Sequence, residues 1–284
     1  MQNSEDFQHR IWQQYIGFLS TPDLLLDRVL IPYPNLDLGK PINSSELSLS
    51  EVNLVELNKQ NYLGKRVELF FKEWLENIIE AELLAFSLQV IEDKLTLGEF
   101  DFLWKNNNQY FHTELVYKQY IFDRDLSKKE VECWVGPNKK DFLHFKLKKL
   151  NENQFPLLYK ASTENILQEK LGLEAENFQQ NLCFKAQLFV HFQENQFHFK
   201  GIYPKAIVGK WYYFEEFNQQ AFNPFQFSII EKQDWPILPQ LTSKMDWFSF
   251  EEIIQKAEEF INEKRSVKLW MKTPEQVFQL FVIW

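Results

Sequence analysis

Hydrophobic and polar positions repeat with two different periods along this chain, and the switches between them divide it into elements. Near the N-terminus Phe7, Ile11, Tyr15 and Phe18 recur at helical spacing. Ser4 stands before them as a candidate N-cap and Pro22 closes the pattern, which predicts an amphipathic helix. Prolines and small polar residues from Pro32 to about Ser50 predict an irregular connector. The helical period returns in "NYLGKRVELFFKEWLENII", where Leu63, Val67, Phe70, Phe71, Trp74 and Ile78 share one face, with Glu68 beside it. The period then shortens to two. "LLAFSLQVIED" reads as one strand, and "LTLGEFDFLWKNNNQYFHTELVYKQY" as two strands joined by a polar turn. "NKKDFLHFKLKKLNEN" predicts a second helix, with Asn138 as its cap and Asp141 in its first turn. "CFKAQLFVHFQ" returns to strand character.

Residues 60–192 therefore run helix, three strands, helix, strand, which is an α+β fold, or α/β with a mixed sheet. The remainder is aromatic and strand-rich. A helix at "FSFEEIIQKAEEFINEKR" interrupts it and "EQVFQLFVIW" ends it as a strand. The expected organisation is an N-terminal helix and connector over 1–55, a core over 56–195, and a strand-rich C-terminal subdomain packed on the core over 196–284.

Composition sharpens this picture mainly by exclusion. With 28 Phe, 9 Trp and 45% hydrophobic residues the chain can fill a large core. Only 8 Gly are present, and neither a Rossmann nor a P-loop glycine pattern occurs. The two cysteines, Cys133 and Cys183, make neither a disulfide framework nor a four-cysteine zinc site, and reduced thiols fit a cytoplasmic protein. The N-terminal "MQNSEDFQHR" has no charged and apolar signal pattern, and no apolar run is long enough to span a membrane. His191 and His198, seven apart, match no zinc spacing. A net charge of -9 argues against a strongly basic nucleic-acid binder, although local patches outweigh the total.

The chemistry concentrates in the two-strand stretch. His112, Glu114, Val116 and Lys118 share one strand face, and a hairpin brings Asp101 beside Glu114. Two adjacent carboxylates raise each other's pKa unless a cation neutralises them. Such an oxygen-only pair suits Mg²⁺ or Mn²⁺, and a nearby ammonium can stabilise an anionic transition state. The bland alternative is a solvated sheet face with an ordinary Glu–Lys pair. Downstream, Lys139, Lys140, Lys146, Lys148 and Lys149 make a locally basic helix in an acidic protein. With Asn138 at its start they could meet phosphates, or simply snorkel over core aromatics. Gln154 could bond a nucleotide or only end the helix.

"LGKRVELFFKEWL", "GEFDFL" and "TELVYK" together resemble the PD-(D/E)XK, or restriction-endonuclease-like, nuclease superfamily. The resemblance implies a helix–three strands–helix–strand core, Asp101 and Glu114 as ligands of Mg²⁺ or Mn²⁺, Glu68 as an accessory acid, and a catalytic lysine. Its lysine normally lies two residues after the acidic ligand. Here Val116 holds that position and Lys118 lies about 6–7 Å further along the same face. Over more of the chain, "HRIWQQYIGFLSTPDLL", "WVGPNKKDFLHFKLKKL" and "NQFPL" join these motifs in resembling an uncharacterised bacterial family, a domain of unknown function with the same nuclease-like fold.

Two functions of different class follow. One is a metal-dependent nuclease or nucleic-acid processing enzyme using Glu68, Asp101, Glu114 and Lys118, with Asn138, Lys139, Lys140, Lys146 and Gln154 toward the substrate. The other is a nuclease-fold module that lost the chemistry and binds nucleic acid or protein. The aromatic C-terminal half is the natural surface for a protein partner or a second copy of the chain.

Overall fold

A computed structural model describes residues 2–39, 57, 62–239 and 245–284, with side chains from Phe7 onward. The first helix, α1 (Gln2–Ser20), buries Ile11, Tyr15, Phe18 and Leu19. Ser4 lies inside α1 rather than at its cap. The predicted connector is described only as far as residue 39, and the rest of it lies outside the described residues. Helix α2 (Leu63–Glu73) runs on into a π-helical turn at Trp74–Ile78. Its face of Leu63, Val67, Phe70, Phe71 and Trp74 is buried as the helical period requires, against α1 and the third strand.

Three long strands follow: β1 (Glu82–Glu92), β2 (Leu95–Asn106) and β3 (Gln109–Phe122). Each antiparallel pair is joined by a two-residue turn, Asp93–Lys94 and Asn107–Asn108, in which both residues have positive φ. These left-handed pairs twist in the sense that strands twist, and Asn and Asp are the residues other than glycine that tolerate the conformation best. β5 (Phe178–His191) pairs parallel with β3 along most of its length. It is buried almost continuously from Asn181 to Val190, the polar Asn181, Lys185 and Gln187 included, because helices and loops cover both its faces.

All nine strands among the described residues form one mixed sheet, ordered β1-β2-β3-β5-β6-β9-β8-β7, with the short β4 (Trp134–Val135) beside β3. β6 (Ile207–Tyr213) and β9 (Val277–Ile283) continue the parallel section, and β8 (Val267–Lys272) and β7 (Gln226–Ile229) close it antiparallel. The C-terminal residues thus extend the sheet edge to edge. They carry a cluster of their own around Phe217, Phe227, Phe250 and Leu269.

The second predicted helix starts later than expected. Residues 136–142 are a loop that ends in extended Phe142, and α3 spans Leu143–Lys149. It continues through a π turn (Leu150–Gln154) and a 3-10 turn (Phe155–Tyr159) before α4 (Ala161–Leu171). Two further helices, α5 (Phe214–Asn218) and α6 (Phe250–Asn262), bring the described α-helices to six. No helix among the described residues is long and apolar enough to cross a membrane. Cys133 and Cys183 are buried and free.

One topological detail positions the chemistry. The β2–β3 ladder stops at Phe102–Thr113, while β4 joins the same side of β3 only at Ile121 and Phe122. Between those points β3 has no strand neighbour on that side among the described residues.

Candidate metal and phosphate site

The gap opens at Asp101, where β2 leaves β3. The backbone N–H of Leu115 would otherwise lose its partner, and the Asp101 carboxylate accepts from it at 2.8 Å. Glu114, one residue earlier on β3, is completely buried. Its Oε1 meets His112 Nε2 at 2.9 Å, and its Oε2 accepts from Gln154 Nε2.

The neighbours fix the form of His112. Gln180 Nε2 lies 2.7 Å from the carbonyl of Phe155, which can only accept, and 3.0 Å from His112 Nδ1. Nδ1 is therefore the acceptor, and Nε2 carries the proton that it donates to Glu114. Burial keeps the ring neutral, pushing its pKa down to about 3.

Burial and proximity act on the carboxyls in the opposite direction. Desolvation, with the charge of Glu114 second, raises Asp101 to about 7. Desolvation raises Glu114 as well, against the attraction of Lys146. The pair thus holds on to a proton that a cation could replace.

The ammonium facing this pair is Lys146 of α3, not Lys118. Burial lowers the Lys146 pKa, while Asp101 and Glu114 together raise it. Its Nζ donates to Gln154 Oε1 at 3.2 Å, and the Gln154 amide passes the link on to Glu114. The π turn that ends at Gln154 brings that side chain back under Lys146, so a local irregularity of the helix builds the bridge. Lys118 does not reach back along its strand, because its Nζ is held by Asp141 at 2.5 Å.

Glu68 faces the mouth of the site. Lys65 holds it at 2.7 Å, while burial, Asp101 and Glu99 raise its pKa. A cavity of about 430 Å³ adjoins, bounded by Glu68, Lys118, Gln119, Lys140, Asp141, Lys146, Lys232 and Trp235. Two of the predicted substrate residues have polar commitments of their own, although Asn138 also lines this cavity. Asn138 does not cap α3; its Oδ1 accepts from the backbone N–H of Ser266 at 3.0 Å and from its hydroxyl at 2.9 Å. Lys139 donates to the carbonyl of Trp284 at 3.2 Å and lies over the rings of Tyr213 and Trp284.

A family model described as Domain of unknown function (DUF1853) matches residues 41–277. The chain belongs to this family. No curated protein and no solved structure matches it. The DUF1853 region contains the whole network from Glu68 to Gln180.

Sequence reading missed His112 and Gln180, and it assigned Lys146 to the substrate rather than to the carboxylates. The signal for His112 was its position two residues before Glu114 on one strand face. Nothing in local pattern ties Gln180 to it, since 68 residues separate them.

The donor set admits a hard divalent cation. No group of three or more His, Cys, Asp and Glu side chains stands ready for a metal among the described residues. Mg²⁺ needs only one or two carboxylates, because it keeps several waters. Each carboxylate oxygen has two lone pairs, so the bonds from His112 and Gln154 leave capacity on Glu114.

Proposed function

We propose that this protein is a Mg²⁺- or Mn²⁺-dependent phosphodiesterase acting on nucleic acid, with a restriction-endonuclease-like core formed by α2, β1–β3, α3–α4 and β5. The observation that carries the reading is the convergence of Asp101, Glu114 and Lys146 at the opening of β2 from β3. Asp101 and Glu114 would hold the cation. Bound there, it would polarise a phosphoryl oxygen and acidify a coordinated water. His112 and Gln154 hold Glu114 in one orientation, so little reorganisation is needed when charge develops. Lys146 presents a positive charge beside the carboxylates, where the anionic phosphate has to come. In this assignment Lys146 takes the part that the linear motif gives to a lysine on β3.

The experiment is cleavage of plasmid DNA and structured RNA with and without Mg²⁺ or Mn²⁺. Wild type should cleave at least one of them only with metal. Glu114→Gln should lose on the order of 100-fold or more, as when a preorganised electrostatic group is removed. Equal rates for the two proteins would sink the assignment.

A second reading, a module that binds nucleic acid without cutting it, is favoured by one observation. Glu114 is wholly buried and both its oxygens already accept hydrogen bonds. It calls for nucleic-acid binding that does not respond to Mg²⁺ and no cleavage under any metal.

A further inference from the structure

A second cavity, of about 470 Å³, opens where three neighbouring parallel strands end, β3 at Phe122, β5 at His191 and β6 at Tyr213. The carboxyl ends of parallel strands are where open sheets take their ligands. Asp123, on the cavity wall, is nine residues along the chain from Glu114, about 30 Å at strand rise, so this space is separate from the carboxylate site.

The fold leaves a buried carboxylate here without a cation. Asp123 is 7% exposed. Its Oδ1 accepts from the backbone N–H of Asp125 at 3.1 Å and so caps the turn Arg124–Leu126. Its Oδ2 has no partner among the described residues and is not sealed off from the cavity. An ionised carboxylate has about four acceptor sites, and one buried this deeply is normally paired with a positive charge. Asp125 lies exposed at the rim, and among the described residues no ion pair engages it. The positive groups nearby are taken. Arg124 donates to Glu194 at 2.6 Å and lies over the ring of Phe122, and Lys210 Nζ donates to the backbone oxygen of Glu194 at 2.9 Å. Lys139 is held by the carbonyl of Trp284. His191 Nε2 is turned to Glu216 at 2.9 Å, and Glu216 also accepts from the Tyr213 backbone N–H at 2.9 Å.

With Arg124 set against Glu194 and His191 against Glu216, two carboxylates stay open to the cavity, Asp123 and Asp125. Both act on the same spot. The Tyr213 hydroxyl has its pKa raised by burial first, then by Asp123, Asp125 and Glu216. Trp211 and Tyr213 supply aromatic walls, their rings 5.0 Å apart and edge to face, and aromatic rings attract organic cations. The space is far larger than one metal ion, and no group of three or more His, Cys, Asp and Glu side chains stands ready for a metal among the described residues. Its volume lies in the range of small-molecule pockets. Two negative charges beside an aromatic wall suit a small organic molecule with two positive ones.

We infer that this cavity binds an aliphatic diamine in its doubly protonated form, one ammonium donating to Asp123 Oδ2 and the other to Asp125, with the carbon chain along Trp211 and Tyr213. Asp123 is held by its cap through Oδ1, so Oδ2 is presented by a fixed side chain. The inference does not depend on the phosphodiesterase reading, and either can fail without the other.

The test is isothermal titration of the full chain with putrescine and, for comparison, n-butylamine, at about 0.1 M salt so that surface charge is screened. Putrescine should bind at one site and about tenfold tighter than n-butylamine, the worth of a second charged hydrogen bond. Asp123→Asn keeps an acceptor for the Asp125 N–H and removes the charge, so it should weaken putrescine about tenfold. Asp125→Asn, at an exposed position outside the cap, should also reduce the advantage of putrescine over n-butylamine. Glu176→Gln removes the same charge from an exposed position away from the cavity and should leave the affinity within about twofold. The inference is overturned by no binding at millimolar putrescine, by equal affinity for the two amines, or by an Asp123→Asn protein that binds putrescine as tightly as wild type. Equal weakening by Glu176→Gln would reduce the binding to general surface charge and overturn it as well. Displacement of putrescine by an equal concentration of Mg²⁺ would make the cavity a metal site and overturn the choice of ligand.

Discussion

Asp101→Asn should change the pH dependence of stability in a way that follows directly from the buried pair. In the fold the Asp101 carboxyl is raised to about 7, chiefly by desolvation, against 3.8 for a free side chain. The folded protein therefore keeps a proton that the unfolded chain gives up over this interval. Stability falls wherever the unfolded chain binds fewer protons, so the contribution of Asp101 is fully present below about pH 4 and is lost as pH rises through about 7. At roughly 1.4 kcal/mol for each pH unit of the gap, the full loss would slightly exceed 4 kcal/mol, and since the unfolded carboxyl is already half-titrated near pH 4, about 2–4 kcal/mol is expected over the range measured. Asparagine has a similar shape, and its carbonyl can still accept from the Leu115 N–H. Urea unfolding of wild type and Asp101→Asn from about pH 4 to about pH 8 reads the effect of the buried pair, because groups away from Asp101 and Glu114 titrate alike in both. Wild type should lose ground to the variant by about 2–4 kcal/mol across that range. Millimolar Mg²⁺ at the alkaline end should restore wild type and leave the variant unchanged, since a cation takes the place of the proton. Parallel pH profiles for the two proteins would refute the reasoning, and with it the buried proton that the metal is proposed to displace.

Other outcomes are expected from single contacts. Lys146→Met should cut metal-dependent cleavage by on the order of 100-fold, while Lys118→Met should stay within about threefold, measured as initial rates on one substrate. Gly209→Ala would put a Cβ 2.2 Å from the carbonyl of Gln279 and 2.8 Å from the ring of Phe189, forcing β6 from β9. A loss of about 3 kcal/mol in urea unfolding is expected there. Ser249 accepts from the backbone N–H of Glu252 at the start of α6, and Glu252 returns the bond to the Ser249 N–H at 2.8 Å. Ser249→Ala should therefore cost about 1 kcal/mol in the same measurement.

Periodicity along the chain was sufficient for α1, α2, β1 to β3, β5, α6 and β9, because each buries one face or both and its apolar residues must repeat with its own geometry. Alternation also put Glu114 and His112 on one face, and the hairpin brought Asp101 toward them, since these relations extend over only a few residues. The start of α3 was misjudged because Asn138 looks like a cap. Whether it caps depends on Ser266, which is distant in the chain and takes its side chain away. The same limit decided the lysine. A strand sequence says which face Lys118 occupies but not that Asp141 waits there, nor that a π turn in α3 carries Lys146 and Gln154 to the carboxylates. Local sequence thus determined the elements and the residues eligible for chemistry. Only the tertiary structure decided which of them meet, because burial, pKa and hydrogen-bond polarity depend on neighbours that the chain brings from tens of residues away.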